Sequence, residues 1–206
     1  HMYAVNSETG EVRWKYATQG TIKPRPALHQ GALIFSSSEG RVYALDAATG
    51  KWRWQYDREA PEGFTIQGYS GVTVYKGVAF VGFSDGVLVA LKPASGEVIW
   101  TRSLSGDATR FIDVDATPAV VGDDTLVTSS YNGGVYAVEA GSGSVKWQLQ
   151  VEGASRSHVA GSRLYFTAPR TGLVAMDLAG NRLWRQAIAK GVPTAPVVQG
   201  PYIFVG

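Results

Sequence analysis

The sequence predicts an all-β fold made of repeated four-stranded antiparallel units. A motif occurs five times, and each copy has a short apolar strand, a polar turn ending in Gly, and a second strand closed by Trp. The copies are MYAVNSETGEVRW, VYALDAATGKWRW, LVALKPASGEVIW, VYAVEAGSGSVKW and LVAMDLAGNRLW. The 25 Gly residues and 11% aromatic residues are typical of a sheet protein with many tight turns. Repeats of one such unit predict that each unit buries its apolar face against the next.

Each copy of the motif predicts a β-hairpin whose turn is stabilised locally. Residues 42–46 are almost continuously apolar, as in a strand that is buried on both faces. Asn6, Asp46 and Asp177 stand at the turns, where such side chains accept hydrogen bonds from backbone N–H groups. Gly50 ends its turn because glycine adopts positive φ without a Cβ clash. One Trp at a fixed distance after the Gly suits packing between adjacent sheets.

The residues between successive motifs predict two further strands per unit. Residues 21–30 contain Pro24 and Pro26, and proline cannot donate to a strand ladder, so this segment should be an innermost or edge strand. The steps from Trp14 to the corresponding Trp of each later copy are 40, 46, 47 and 37 residues. A period of about forty residues is that of a propeller blade. The extra residues precede the second and third units, so we expect a binding face there.

We therefore predict a single β-propeller domain over residues 1–206, with about five four-stranded antiparallel blades. The predicted units are residues 21–57, 66–104, 113–151 and 154–188, with a fifth blade made of residues 190–206 and 2–18. The two terminal segments are complementary, because one supplies two inner strands and the other supplies two outer strands. Joining them would leave no inner strand unpaired. An open arc, or pairing of these strands between two chains, is the alternative.

Composition excludes several classes of function. The net charge is +2 and the Lys and Arg residues are scattered, so we expect no nucleic-acid partner. No run of eighteen apolar residues is present, so we expect no direct membrane insertion. The sequence contains no Cys, which excludes a disulfide, a thiolate metal site and a lipidated Cys within these residues. No signal peptide is visible in the sequence.

Two resemblances refine this prediction. The pattern AxDxxTGxxxW of residues 44–54 resembles the repeat of pyrroloquinoline-quinone dehydrogenases and related propellers. A closer resemblance covers the whole chain and centres on DVDATP at residues 113–118, YNG at residues 131–133 and the strand-turn-Trp motif after it. This combination is similar to the BamB family, which has a DVDTTP segment followed by YNG and the same motif. The resemblance implies that the chain covers interior blades of an eight-bladed protein.

The BamB resemblance implies a non-enzymatic interaction scaffold of the outer-membrane β-barrel assembly machinery. It implies a periplasmic protein, attached to the inner leaflet of the outer membrane in the full-length lipoprotein, that binds the POTRA domains of BamA. Gln67 stands where the family has Arg, so we expect a different or weaker contact there. The partner-binding residues implied by the resemblance, with Arg110 added as their neighbour, are Phe64, Ile66, Gln67, Arg110, Asp113 and Asp115.

Simpler structural roles exist for these residues. Asp113 and Asp115 alternate on an extended segment, so their side chains should share a face, but an Asp before a strand also commonly caps a turn. Phe64 and Ile66 could pack against the rim of the propeller instead of a partner.

We predict no catalytic, cofactor-binding or metal-binding residues. His29 and His158 lack metal-ligand spacing, and no carboxylate pair has the spacing of a general acid and base. The alternative functions are a quinoprotein dehydrogenase-like propeller and a ligand-sensing propeller domain. Quinoprotein dehydrogenases need a Ca²⁺ site beside the quinone, and many use a vicinal Cys pair that this sequence lacks.

Overall fold

The computed structural model describes residues 1–58, 70–106, 111–188 and 191–206, and the regular structure in these ranges is all β. Within them, no helix is long and apolar enough to cross a membrane. In chain order the strands are β1 (Met2–Val5), β2 (Val12–Tyr16), β3 (Ala27–His29), β4 (Ala32–Ser37), β5 (Arg41–Asp46), β6 (Trp52–Asp57), β7 (Thr73–Tyr75), β8 (Val78–Gly82), β9 (Val87–Leu91), β10 (Val98–Ser103), β11 (Ala119–Val121), β12 (Thr125–Ser130), β13 (Gly134–Glu139), β14 (Val145–Leu149), β15 (His158–Ala160), β16 (Arg163–Ala168), β17 (Gly172–Asp177), β18 (Arg182–Gln186), β19 (Val197–Gln199) and β20 (Tyr202–Phe204).

Sixteen of these strands form four blades. Each blade pairs four consecutive strands antiparallel, in the orders β3-β4-β5-β6, β7-β8-β9-β10, β11-β12-β13-β14 and β15-β16-β17-β18. The first strands of neighbouring blades lie against one another, as β3 does with β7 and β11 with β15, so they are the innermost. β3 begins directly after Pro26, as expected of a residue that cannot donate to a ladder. The predicted all-β fold of four-stranded antiparallel blades is confirmed.

The predicted turns form as their sequence indicates. The side-chain oxygen Oδ1 of Asp46 accepts hydrogen bonds from the backbone N–H groups of Ala48 and Thr49, at 3.2 and 2.9 Å. Asn6 makes the same contacts in the first copy, with Glu8 and Thr9. In every copy the strand register then shifts by one residue just before the Trp, forming a bulge. A bulge increases the local twist of a strand, and its recurrence gives each Trp the same direction.

The Trp residues join each blade to the next. The indole Nε1 of Trp54 donates to the carbonyl oxygen of Pro93 at 2.8 Å, in the turn of the following blade. The ring lies over Gly96, where an added Cβ would be 2.5 Å from Trp54 Cε3. This arrangement, which we call the Trp–Gly contact, needs glycine for space as well as for its positive φ. It recurs as Trp14 with Ala47 and Gly50, Trp100 with Ala140 and Gly143, and Trp147 with Leu178 and Gly180.

A second set of contacts joins the blades near their innermost strands. Hydroxyl groups of one blade donate to carbonyl oxygens in the segment that leads into the next blade. The Oγ of Ser36 donates to the carbonyl oxygen of Ser70 at 2.5 Å, and the Oγ1 of Thr167 donates to that of Thr194 at 2.9 Å. Apolar side chains fill the space between these hydroxyls and the Trp–Gly contacts. The core therefore lies between blades, and neighbouring complete blades are held together both near their innermost strands and at the Trp–Gly contacts.

The prediction that the terminal strands form a fifth blade differs from the structure. β1–β2 and β19–β20 are two separate two-stranded sheets, and they are not paired with each other. Tyr3 and Phe204, on the strands that were expected to pair, are 49% and 58% exposed. The strand pattern made these segments complementary, but pairing also needs the two edges to meet in space, and the described strands form four complete blades and two separate strand pairs.

The Trp–Gly contact predicts unequal effects of alanine at two similar glycines. Gly96 and Gly77 have φ of +76° and +74°, but an added Cβ meets nothing within 4 Å at Gly77. Gly77→Ala should lose about 1–2 kcal/mol of unfolding free energy through backbone strain alone. Gly96→Ala should lose a further 1–3 kcal/mol, approximately, because the Cβ displaces Trp54. Urea denaturation of both variants measures the difference in unfolding free energy. Equal losses in the two variants would show that Gly96 is not needed to make room for Trp54.

Candidate protein-interaction site

Residues 111–118 cross from the second complete blade to the third, and backbone hydrogen bonds hold them to both. The N–H of Val114 donates to the carbonyl oxygen of Phe83 in the second blade at 3.0 Å. The carbonyl oxygen of Asp113 accepts from the N–H of Tyr131, which directly follows β12, at 3.0 Å. The segment is therefore bonded on both sides and has little freedom to move.

Side chains on both sides add to this support. The carbonyl oxygen of Ala116 accepts from the Oγ1 of Thr128 at 2.8 Å and from the Oγ of Ser70 at 3.3 Å. Gly82 leaves room for the segment, since a Cβ there would be 2.4 Å from both the Cγ1 and the carbonyl oxygen of Val114. The second and third blades thus form a fitted cleft for residues 111–118.

Asp113 is enclosed by this arrangement. Its side chain is 1% exposed, and neither carboxylate oxygen has a hydrogen-bond partner among the residues that the structure describes. A buried carboxylate without a partner is unfavourable, because it loses hydration and gains nothing in return. The direct partner contact implied by the family resemblance would thus need Asp113 to become accessible, whereas its position in the cleft suits a supporting role.

Asp115 lies two residues further along and is only partly buried. Burial raises the pKa of Asp115 to about 6, and the negative charge of Asp113 raises it further against the opposing effect of backbone hydrogen bonds. The two acids are therefore close enough to interact electrostatically. Asp46 differs, because its pKa is lowered to about 2, first by its hydrogen bond to Arg53. In contrast, no cation offsets the charge of Asp115 within the described part of the chain.

The other residues predicted to contact a partner, which are Phe64, Ile66, Gln67 and Arg110, lie outside the residues that the structure describes. Their roles remain predictions. Of the predicted set, the structure brings together Asp113 and Asp115.

Phe111 is a feature of the site that the sequence did not reveal. Its φ is +51°, a conformation that is uncommon for a bulky residue, and its side chain is 40% exposed. The ring meets Tyr131 edge to face, with 6.3 Å between the ring centroids. Strained backbone of this kind often accompanies function. Nothing in the local sequence indicates this conformation, in which the carbonyl oxygen of Phe111 accepts from the N–H of Asn132, two residues after β12, at 3.1 Å.

A separate cavity of about 490 Å³ lies among the innermost strands. Its walls include Pro118, Val120, Val159 and Pro196, and Arg156 and His158 supply its charged and titratable side chains. Its described lining contains no carboxylate and so offers no carboxylate–His pair. Across the described residues, no three His, Cys, Asp or Glu side chains are grouped as metal ligands.

Comparison with known proteins decides the family. The sequence profile described as outer membrane protein assembly factor BamB matches residues 1–186 and again residues 137–206. The chain belongs to the BamB family. The BamB of Yersinia pestis is 28% identical to it over 212 residues, covering 100% of this chain and 53% of that protein. The BamB of Vibrio cholerae is 32% identical over 154 residues, covering 72% of this chain and 39% of that protein.

Solved structures agree on the propeller architecture. The crystal structure of BamB from Moraxella catarrhalis superposes with a TM-score of 0.85 at 24% identity, over 99% of this chain and 63% of that one. A quinohemoprotein alcohol dehydrogenase from Pseudomonas putida superposes with a TM-score of 0.68 at 20% identity, over 84% and 35% of the two chains. At these identities the likeness shows the fold alone. The chain spans about half the length of the curated BamB relatives it matches.

The raised pKa of Asp115 predicts that charge at this site opposes folding at neutral pH. In the unfolded chain an Asp has a pKa of about 3.9, so between pH 4 and 6 the folded state holds the proton more tightly. The Asp115 contribution to stability therefore falls as pH rises through this window and is lowest above pH 7. As the pH rises from 4 to 7.5, the unfolding free energy of Asp115→Asn should increase by about 1–3 kcal/mol relative to that of the unchanged chain.

Urea denaturation of the two proteins at both pH values measures this gain. Asp123→Asn is the matched control, because Asp123 lies exposed in the turn between β11 and β12. If the relative increase in unfolding free energy is no larger for Asp115→Asn than for Asp123→Asn, the charge of Asp115 is not uncompensated in the folded chain.

Proposed function

We propose that this chain is part of a non-enzymatic scaffold of the outer-membrane β-barrel assembly machinery, and that it binds the POTRA region of BamA. The observation that carries the proposal is the pair of acids at Asp113 and Asp115. They are held in a rigid segment, one is buried without a described partner, and the other has a pKa raised to about 6. A fold that retains an unfavourable negative charge is well suited to a partner that supplies a positive one.

The geometry of residues 111–118 favours a partner with an exposed Lys or Arg. A cation placed against Asp115 would lower its pKa toward the ordinary value and form a charge-assisted hydrogen bond. Hydrogen bonds from both blades already hold residues 111–118 in place. This segment therefore loses little conformational entropy when a partner binds to it. Phe111, exposed beside this segment, offers the aromatic contact that commonly accompanies such a charge at an interface.

A binding role agrees better with these residues than a reaction does. Asp113 is enclosed, and the cavity among the innermost strands is lined largely by Pro, Val and Ala side chains. The likeness to the quinohemoprotein alcohol dehydrogenase is one of fold alone, and a shared fold does not imply a shared reaction. The family name further supports a periplasmic location at the outer membrane, which we include in the proposal.

Calorimetric titration with a purified BamA POTRA fragment tests the proposal. The unchanged chain should bind, and Asp115→Asn should weaken binding more than tenfold, because the partner's cation would then be left without its counter-charge. Asp123→Asn should bind as the unchanged chain does, since Asp123 is an exposed turn residue on another loop. A folded chain that does not bind, or one whose binding is equally affected by both changes, would contradict the proposal.

The same titration should depend on pH in a direction set by Asp115. Its carboxylate must be ionised to pair with a cation, and its pKa is raised to about 6. Binding should therefore weaken by about tenfold between pH 7.5 and pH 5. The weakening should be smaller in Asp115→Asn, which has no proton to take up. An equal pH dependence in the two proteins would assign the effect to other groups.

A further inference from the structure

One wall of the cavity among the innermost strands differs from the others in charge. The first residues of the four strands that line it are Thr73, Ala119, His158 and Val197. Of these, His158 alone has a titratable side chain. Arg156 lies two residues before β15, whereas Gly, Thr and Ala stand at that distance before β7, β11 and β19. Both basic side chains therefore belong to one wall, and the rest of the described lining is uncharged.

The charge of Arg156 is not used within the described structure. Its guanidinium has no carboxylate within ion-pair distance among the described residues, and nearby Glu152 lies 3.8 Å from Arg170 instead. Arg156 is exposed and His158 is half-buried, so both side chains are accessible to a ligand. A guanidinium is always charged, and its planar fork matches the two oxygens of an acid group. The wall is therefore suited to an anion.

The backbone that carries Arg156 is held in place by two blades. The N–H of Ser155 donates to the carbonyl oxygen of Thr167 in the fourth complete blade at 2.8 Å. The carbonyl oxygen of Ser155 accepts from the Oγ of Ser129 in the third complete blade at 3.3 Å. The main chain of this wall is therefore ordered before a ligand arrives, which lowers the entropy lost on binding.

The main chain of this wall also supplies hydrogen-bond donors. β15 pairs with β16 on one edge and with no described strand on the other, so alternate backbone groups along that edge are unpaired. Ser157 stands directly before β15, where β11 and β19 are preceded by Pro118 and Pro196. Proline has no N–H, so β15 begins with a donor that those two strands lack.

The remaining walls indicate that the ligand has an apolar part. Pro118, Val120, Val159 and Pro196 line the cavity, and its volume is about 490 Å³. Pockets for small organic molecules have volumes of roughly 300–1,000 Å³ and combine apolar walls with a few polar groups. An inorganic ion would occupy a small part of this space and leave the apolar walls without a contact. The cavity is thus better matched to an organic anion.

We propose that this cavity binds a small organic carboxylate. The acid group accepts hydrogen bonds from the guanidinium of Arg156 and from a ring N–H of His158, and imidazole has an N–H in either protonation state. The apolar part lies against Pro118, Val159 and Pro196. One permanent cation matches the single negative charge of a carboxylate, whereas a phosphate monoester carries nearly two. The site shares no residue with the acid pair at Asp113 and Asp115.

Protein-observed NMR titration at neutral pH and constant ionic strength tests the proposal with four probes. 3-Phenylpropionate has both the acid group and an apolar part, 3-phenylpropanamide lacks the charge, acetate lacks the apolar part, and inorganic phosphate supplies a different anion. 3-Phenylpropionate should bind with a Kd of about 1 mM or tighter, and at least about tenfold more tightly than each of the other three. Its largest shifts should fall on the amide groups of residues 156–159.

Arg156→Gln and Arg25→Gln form a matched pair of variants. Both residues are exposed and lie two residues before the innermost strand of a blade, but Arg25 does not line the cavity. Arg156→Gln should weaken 3-phenylpropionate binding about tenfold or more, and Arg25→Gln should leave it unchanged. Ala119→Leu, which fills the cavity and keeps both basic residues, should also weaken binding. Circular dichroism confirms that each variant is folded.

Three results would overturn the proposal. The first is an unchanged chain that does not bind 3-phenylpropionate, or that binds the neutral amide equally well. The second is tighter binding of phosphate, which would assign the wall to another class of anion. The third is binding that Arg156→Gln leaves intact or that Arg25→Gln weakens to the same extent, since the carboxylate would then lie elsewhere on the surface.

Discussion

Four neighbouring sheet pairs of this protein are joined by a Trp, at position 14, 54, 100 or 147, that lies on a glycine of the neighbouring turn. The contact combines an apolar ring face, a hydrogen bond of 2.8–3.2 Å from the indole N–H, and a backbone conformation that glycine adopts without strain. The bulge that recurs before each Trp gives every copy the same orientation. One short motif therefore defines both the hairpin and the way in which hairpins stack, so that repetition of the motif produces the propeller.

The candidate site follows from this stacking. Because neighbouring blades are fixed at their outer ends by the Trp–Gly contacts and near their inner ends by hydroxyl groups, the segment between the second and third complete blades must fit a cleft of set width. Gly82 provides room for it, and Phe111 adopts a positive φ to enter it. In this position Asp113 loses its hydration. The unfavourable charge at the acid pair is thus a consequence of the architecture, and we infer that a cationic partner compensates it.

The sequence was sufficient for the repeated features of the fold and insufficient for those that depend on one particular packing. The hairpins, the turns at Asn6 and Asp46 and the packing role of Trp were predictable, because each rests on residues close in sequence and recurs. Closure of a fifth blade was predicted from complementary strands, but strand pattern carries no information about the angle between blades. Asp113 and Asp115 were identified through the family resemblance. The burial of Asp113 and the backbone of Phe111 depend on a neighbouring blade, which no local pattern reports.

The most direct test of the central claim is the pKa of the Asp115 carboxyl group, measured by carbon NMR in the free chain and in the presence of a saturating POTRA fragment. We expect a midpoint near 6 in the free chain, raised by burial and by Asp113, and a lower midpoint in the complex, where a cation pairs with the carboxylate. A midpoint near the ordinary Asp value in the free chain would contradict the uncompensated charge. A raised midpoint that the partner leaves unchanged would contradict its role in binding.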